Sequence, residues 1–194
     1  MYLVEKNTNN DFKDTKKILI IGGSQGSKFF DENITEIILN VSKKLNIQIY
    51  QQVYNDSKKN LIKKKYDSFK IKNKLFDFDE NLFDNLSDFD LAITRSGASA
   101  ISELSHLNIP FIAIPFPFAR DNHQYYNAKF YKNRDCCWLF AQSEIDENIL
   151  SDKIIHIFTE KDEYFKKKEK LEKISNQNTW NIVNKKLLQL INEN

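Results

Sequence analysis

Short, continuously apolar runs alternate along the chain with longer stretches in which an apolar residue returns every third or fourth position. Ile18-Leu19-Ile20-Ile21 is the first such run, β-branched and without a polar break, as a strand buried on both faces requires. It stops at Gly22-Gly23-Ser24-Gln25-Gly26-Ser27, after which Phe30, Ile34, Ile37, Ile38, Val41 and Leu45 mark one face of a helix. The unit repeats, with a strand from Ile47 to Tyr54, a short basic helix from Lys58 to Tyr66 and a strand from Lys70 to Phe78. A capped turn over Asn81 to Leu86 leads to a buried strand, Asp90 to Thr94, which passes through Arg95-Ser96-Gly97-Ala98-Ser99 into a helix carrying Ile101, Leu104 and Leu107. Asn108 before Ile109-Pro110 ends that helix, Phe111 to Ile114 reads as a strand, and a helix near Asn122 to Asn133 follows Pro115-Phe116-Pro117. Cys137 to Phe140 is the last expected strand. From Asp146 onward the pattern is helical, ending in an amphipathic stretch through Ile182, Val183, Leu187, Leu188 and Ile191.

Strands alternating with helices at this spacing predict an α/β fold with right-handed crossovers, a doubly wound parallel sheet of Rossmann-like form. Met1 to Lys17 is polar and aperiodic and is expected to be a linker or tail, with residues 18–194 as one domain. In open sheets of this kind ligands bind outside the carboxyl ends of the strands, and both glycine segments are expected on that edge.

Composition narrows the chemistry. The chain holds only 4 glycines in 194 residues, at Gly22, Gly23, Gly26 and Gly97, so glycine is kept for places where backbone freedom or close approach is needed. Lys+Arg 29 against Asp+Glu 27 leaves +2, interleaved along the chain, which argues against a nucleic-acid binder. The longest greasy stretch, Ile109 to Ala119, is broken by three prolines and falls short of the ~20 apolar residues of a membrane span. Met1 to Lys17 carries no secretory signal pattern, and the 2 cysteines, adjacent at Cys136 and Cys137, offer neither a disulfide framework nor a thiolate metal site. A reducing, cytoplasmic setting fits best, and no cofactor or metal is implied.

Gly22 to Ser27 has neither the G-x-G-x-x-G spacing of a dinucleotide site nor the lysine of a P-loop, so nicotinamide and ATP readings are poorly supported. Glycines that admit a phosphate to the backbone, followed by a helix N-terminus, nevertheless suit an anion; a plain tight turn is the structural alternative. Arg95-Ser96-Gly97-Ala98-Ser99 offers a second helix N-terminus with small residues at its mouth. A diphosphate between two such ends would have its charge spread over several backbone donors. Glu103, about one turn into the helix, is placed to accept from a ribose diol, or simply favours a helix N-terminal region. Asp121-Asn122-His123-Gln124-Tyr125-Tyr126-Asn127-Ala128 sets Gln124 and Asn127 on one helix face, suited to sugar hydroxyls, while Asp121 or Asn122 as an N-cap is the structural alternative. The lysine clusters Lys58-Lys59, Lys63 to Lys65 and Lys166 to Lys170 read as solvated faces, with contact at an anionic membrane surface the less favoured alternative.

Gly-Gly-Ser-Gln-Gly after the first strand, Arg-Ser-Gly-Ala followed by Ser-Glu, and Asp-Asn-His-Gln followed by Asn-Ala together resemble the carboxyl-terminal domain of the bacterial MurG family, from about Ile18 into the final helices. That family transfers N-acetylglucosamine from UDP-GlcNAc to undecaprenyl-diphospho-muramoyl-pentapeptide, making lipid II for peptidoglycan. The resemblance implies a GT-B glycosyltransferase donor domain in which Ser24, Gln25 and Gly26 border the diphosphate. Ser96, Gly97, Ala98 and Ser99 would form the opposing phosphate loop, and Glu103 would hold the ribose. Phe78 and Asp79 match the segment whose backbone reads the uracil edge, Gln124 and Asn127 match residues holding the GlcNAc hydroxyls, and His123 falls in the same motif. Arg95 matches a family position whose task the sequence does not disclose. Family members also carry an amino-terminal domain that binds the lipid acceptor and the membrane and contributes residues implicated in catalysis. This chain is expected to begin at the interdomain linker. It then reads either as a fragment or as a natural donor-binding half that works with a separate acceptor-binding chain, at the inner face of the cell membrane. The alternative of another class is a non-catalytic UDP-sugar binding module.

Overall fold

Six parallel strands form the centre of the molecule, in the order β3-β2-β1-β4-β5-β6. The structure is a computed structural model and describes residues 14–23, 27–54, 56–77 and 88–177. The strands are β1 (Lys16–Ile21), β2 (Ile47–Gln52), β3 (Lys72–Phe76), β4 (Leu91–Thr94), β5 (Phe111–Ala113) and β6 (Cys137–Leu139). Between and after them lie α1 (Thr35–Ser42), α2 (Asp56–Ser68), α3 (Ala98–His106), α4 (His123–Lys132), α5 (Glu147–Thr159) and α6 (Lys161–Gln177). The expected doubly wound sheet is observed; Asn81 to Leu86, Phe78 and the stretch from Ile182 lie outside the described residues. No described helix is long and apolar enough to cross a membrane.

Two apolar layers cover the sheet. Ile18, Ile20, Leu91, Ile93 and Ile112 face one way, against α1 and α5 residues such as Ile37, Ile38, Ile154 and Ile157. Leu19, Ile21, Ala92, Phe111 and Ala113 face the other, against Ile101, Leu104, Ala128 and Leu171 of α3, α4 and α6. This period-two division of continuous apolar runs is what makes β1, β4 and β5 central strands. The strand boundaries differ slightly from expectation: Lys16 and Lys17 join β1 because β2 provides Ile47 and Gln48 as their ladder partners. The helix after β1 begins with a π-turn over Phe30–Ile34.

Helices α2, α3 and α4 all end in a left-handed residue that is not glycine: Lys70 (φ 58°), Asn108 (φ 58°) and Asp135 (φ 57°). In each case the following amide bonds back to the last turn, as Ile71 N–H does to the Tyr66 carbonyl at 2.9 Å and Ile109 N–H to that of Leu104 at 2.9 Å. These helix ends dispense with glycine, although a Cβ in this conformation costs about 1–2 kcal/mol. Asp135 also anchors α6, accepting from Lys167 at 2.5 Å and Lys170 at 2.7 Å. Those two ammonium groups hold its carboxyl well below the usual carboxylate range.

The strand order changes direction between β1 and β4, where one neighbour leads outward through β2 and the other through β5. At such a switch point the loops leaving the carboxyl ends separate and leave a crevice.

Candidate functional site

Ile21 at the end of β1 is in register with Thr94 at the end of β4, and the Arg95 amide donates to the Ile21 carbonyl at 3.1 Å. The two glycine segments therefore leave the sheet side by side. A Cβ built on Gly23 would lie 3.9 Å from the Cβ of Arg95. Gly23 has φ +94°, a conformation in which any other residue is strained, so glycine suits this position just past the end of β1. Ser24, Gln25 and Gly26 lie outside the described residues, as do Phe78 and Asp79.

Gly97 takes the N-cap position of α3 with ordinary extended angles, φ −60° and ψ 142°, and no side chain caps the helix. The first-turn amides of Ala98, Ser99 and Ala100 thus end the helix without intrahelical acceptors, at the positive end of its dipole. A Cβ on Gly97 would meet nothing within 4 Å. Its lack of a side chain is not required by the fold, and it keeps open the space in front of the helix end. Gly97→Val is accordingly expected to lower stability by about 1 kcal/mol, because valine is disfavoured at an N-cap where glycine is not. It should also weaken binding of a diphosphate ligand roughly tenfold or more by filling that space, a loss of about 1.4 kcal/mol; thermal melts and calorimetry on the same samples separate the two effects.

Arg95 is 4% exposed. Its Nη1 donates to the carbonyls of Ile114 (3.1 Å) and Pro115 (3.0 Å), and its Nη2 to Ser27 Oγ (3.1 Å) and Gln142 Oε1 (2.6 Å). The rings of Phe29, Phe30 and Phe116 surround the guanidinium with centroids at 5.6, 5.0 and 5.5 Å. One side chain thereby joins the loops after β1, β4, β5 and β6. Burial lowers its pKa to about 10, so it stays cationic at neutral pH.

Ser96 is fully buried, and its Oγ donates to the Gln124 carbonyl at 2.8 Å, while Asn127 Nδ2 donates to the Ser96 carbonyl at 3.1 Å. Gln124 Oε1 accepts the Phe116 amide at 2.9 Å. The first turn of α4 is in this way latched to the β4–α3 loop. Among the described residues, the latch leaves the Gln124 Nε2 and Asn127 Oδ1 atoms without a protein partner. Asp121 and Asn122 are left-handed, at φ 51° and 53°; Asn122 takes the N-cap position of α4, but no side-chain bond caps the helix. Exposed His123 places Nδ1 2.7 Å from the Arg120 carbonyl, which only accepts. Nδ1 therefore carries the hydrogen and Nε2 is left as the outward group.

Glu103 lies one turn below Ser99 and Ala100 on the same side of α3. Its Oε2 is buried without a hydrogen-bond partner among the described residues, and burial raises the carboxyl's pKa. An orphaned carboxylate oxygen is an acceptor awaiting a donor, here in the second turn of α3 rather than at its N-terminus. Ala98, Ile101, Ser102, Tyr126, Asn127, Phe130 and Tyr131 line an open groove of about 400 Å³ between α3 and α4, and Glu103 is not among its lining residues.

Sequence reasoning missed Gln52. Its Oε1 accepts the Gly22 amide at 3.1 Å and its Nε2 donates to the Asp77 carbonyl at 2.9 Å. The signal was present: a polar amide pair, Gln51-Gln52, closes a buried strand whose third amide is Gln48 near its start. Asp31, another buried group near this edge, accepts the Tyr54 amide and is pushed up to about 6 by burial.

Comparison with known proteins bears on the family and the fold. Residues 17–180 match the glycosyltransferase family 28 C-terminal domain. A UDP-N-acetylglucosamine--N-acetylmuramyl-(pentapeptide) pyrophosphoryl-undecaprenol N-acetylglucosamine transferase of Pelagibacter ubique is 42% identical over 97% of this chain and 53% of its own length. The protein of the same name from Rickettsia bellii is 40% identical over 77% of this chain and 43% of its own. The chain spans about half the length of the curated relatives it matches. The crystal structure of Acinetobacter baumannii MurG superposes with a TM-score of 0.73 at 22% identity, covering 84% of this chain and 47% of that one, so the fold is that of a GT-B glycosyltransferase. The chain belongs to the glycosyltransferase family 28 C-terminal domain family.

Proposed function

We propose that this domain is the donor-binding half of an inverting N-acetylglucosaminyltransferase that moves GlcNAc from UDP-GlcNAc to a lipid-linked muramoyl-pentapeptide acceptor at the cytoplasmic face of the membrane. The observation that carries the reading is the adjacency of the β1 and β4 tips, joined by the 3.1 Å bond from the Arg95 amide to the Ile21 carbonyl. It brings the Gly22-Gly23 turn beside the uncapped N-terminus of α3. The names of the relatives supply the donor and acceptor.

In this reading the diphosphate lies across the two tips, against the amides of the turn and the first-turn amides of Ala98, Ser99 and Ala100. Glu103 accepts from the ribose diol, and Gln124 Nε2, Asn127 Oδ1 and His123 Nε2 face the sugar hydroxyls. Ser24, Gln25 and Gly26 border the diphosphate, and Phe78 and Asp79 meet the uracil. Arg95 acts from within, holding the loops that carry these groups. The acceptor oxygen attacks the anomeric carbon as the bond to the UDP oxygen breaks. The acceptor proton goes to a base on the acceptor-binding half, and the electron pair of the broken bond stays on the departing UDP. Preorganised amides aimed at that developing charge are worth about 3 kcal/mol each in comparable sites. The acceptor-binding half is a further domain or a separate chain.

Calorimetric titration with UDP-GlcNAc, UDP-GalNAc and UDP tests the assignment. UDP is expected to bind, and UDP-GlcNAc to bind more tightly than its epimer. Absence of any uridine-nucleotide binding sinks the reading, while equal affinity for the two sugars removes Gln124 and Asn127 from it.

A further inference from the structure

We propose that Gln52 is a positioning residue that sets the distance between the phosphate-binding and base-binding parts of the site, and so tunes the preference for uracil. The proposal deepens the donor-site reading and rests on it.

Gln52 is the last residue of β2 and is 5% exposed. Its strand lies between β1, whose end carries Gly22, and β3, whose end leads to Asp77. The ends of β1 and β3 are two strand spacings apart, about 9.5 Å, and share no ladder bond of their own. The side-chain amide of Gln52 spans this gap, accepting from Gly22 N–H at 3.1 Å on one side and donating to the Asp77 carbonyl at 2.9 Å on the other. The Val53 amide adds a parallel main-chain bond to the Phe76 carbonyl at 2.8 Å, which fixes β3 to β2 but not to β1. Of the contacts described at this edge, only the Gln52 side chain touches both outer strand ends.

The chemistry suits the task. An amide has one acceptor and two donors in a fixed plane, so it can satisfy a main-chain N–H and a main-chain carbonyl at once without carrying charge into a buried place. Both of its partners are main-chain groups, one just past the end of β1 and the other just past the end of β3. The Gly22 amide begins the turn on which the diphosphate is placed. Asp77 begins the chain leaving β3, the stretch assigned to the base edge. Uracil and cytosine differ at that edge in which ring positions donate and which accept, so discrimination between them depends on main-chain groups being held at the right distance from an anchored phosphate. Removing the brace should therefore cost selectivity as well as affinity, whereas a residue that merely stabilises the fold would weaken both nucleotides alike.

The test compares UDP and CDP binding by calorimetry for the unaltered chain, Gln52→Met and Gln52→Glu. Methionine keeps the length and removes both bonds. Glutamate keeps an acceptor for Gly22 and loses the donor to Asp77, so it serves as the probe if the methionine variant does not fold. The expected result is a loss of about tenfold for UDP, in line with one buried hydrogen-bonded brace, with a smaller loss for CDP, so that the preference narrows. An equal loss for both nucleotides, or no loss, overturns the proposal. If the unaltered chain binds neither nucleotide, the donor-site reading fails before any variant is made, and the proposal falls with it.

Discussion

Arg95→Ala is expected to destabilise the domain by about 3–5 kcal/mol, measured as a lowered urea midpoint with unchanged slope. The magnitude follows from what the truncation leaves behind. Two carbonyls, one hydroxyl and one amide oxygen lose a donor, and the space among Phe29, Phe30 and Phe116 empties. Hydrogen bonds to a charged group contribute about 1.5–3 kcal/mol each, and stranded buried acceptors add to the cost. Arg95→Lys separates charge from geometry. A single ammonium cannot reach acceptors on three other loops, so lysine should recover only a minor part of the loss. Recovery of full stability by lysine would mean that charge alone matters here, against the bridging role.

Glu103→Ala is expected to weaken UDP-GlcNAc binding roughly 10–100-fold, the scale of a charge-assisted hydrogen bond to a diol, while stability stays level or rises slightly. The stability half follows from the orphaned Oε2: the empty domain gains nothing from it. The pH dependence has a definite sign. Burial raises this carboxyl's pKa in the folded domain above its value in the unfolded chain, so the folded state holds the proton more firmly. Stability contributed by the neutral form is present below the unfolded pKa and is lost as pH rises through the raised one. A ribose diol donating to the carboxylate favours the charged form, so affinity should improve from mildly acidic to neutral pH. Glu103→Gln should flatten that trend. Unchanged affinity in Glu103→Ala, or a parallel loss with 2′-deoxy-UDP as the ligand, would sink the ribose assignment.

The layering of the fold was legible because its central strands are apolar without interruption, and both glycine segments lay where strands gave way to helices. The tasks of the polar residues were less legible. Ser96, Gln124 and Asn127 read as ligand-facing groups, and the structure spends one side-chain atom of each on bracing α4, Ser96 and Asn127 across to the β4–α3 loop and Gln124 to Phe116 after β5. A side chain with both donors and acceptors can do two jobs, and sequence spacing does not divide them. Arg95 was harder still, because its partners lie 68, 19, 20 and 47 positions away and converge only once the sheet has formed. Gln52 escaped because a polar residue closing a buried strand reads as the point where burial ends, when here it is a bridge.

The acceptors that Arg95 bonds among the described residues are all uncharged, and burial lowers its pKa. A whole positive charge is thus enclosed at the rim of the sheet, where water screens it poorly and no acidic side chain among the described residues pairs with it. In the donor-site reading proposed above, phosphates set across the β1 and β4 tips would bring negative charge towards this enclosed cation while its own donors stay engaged with the loops.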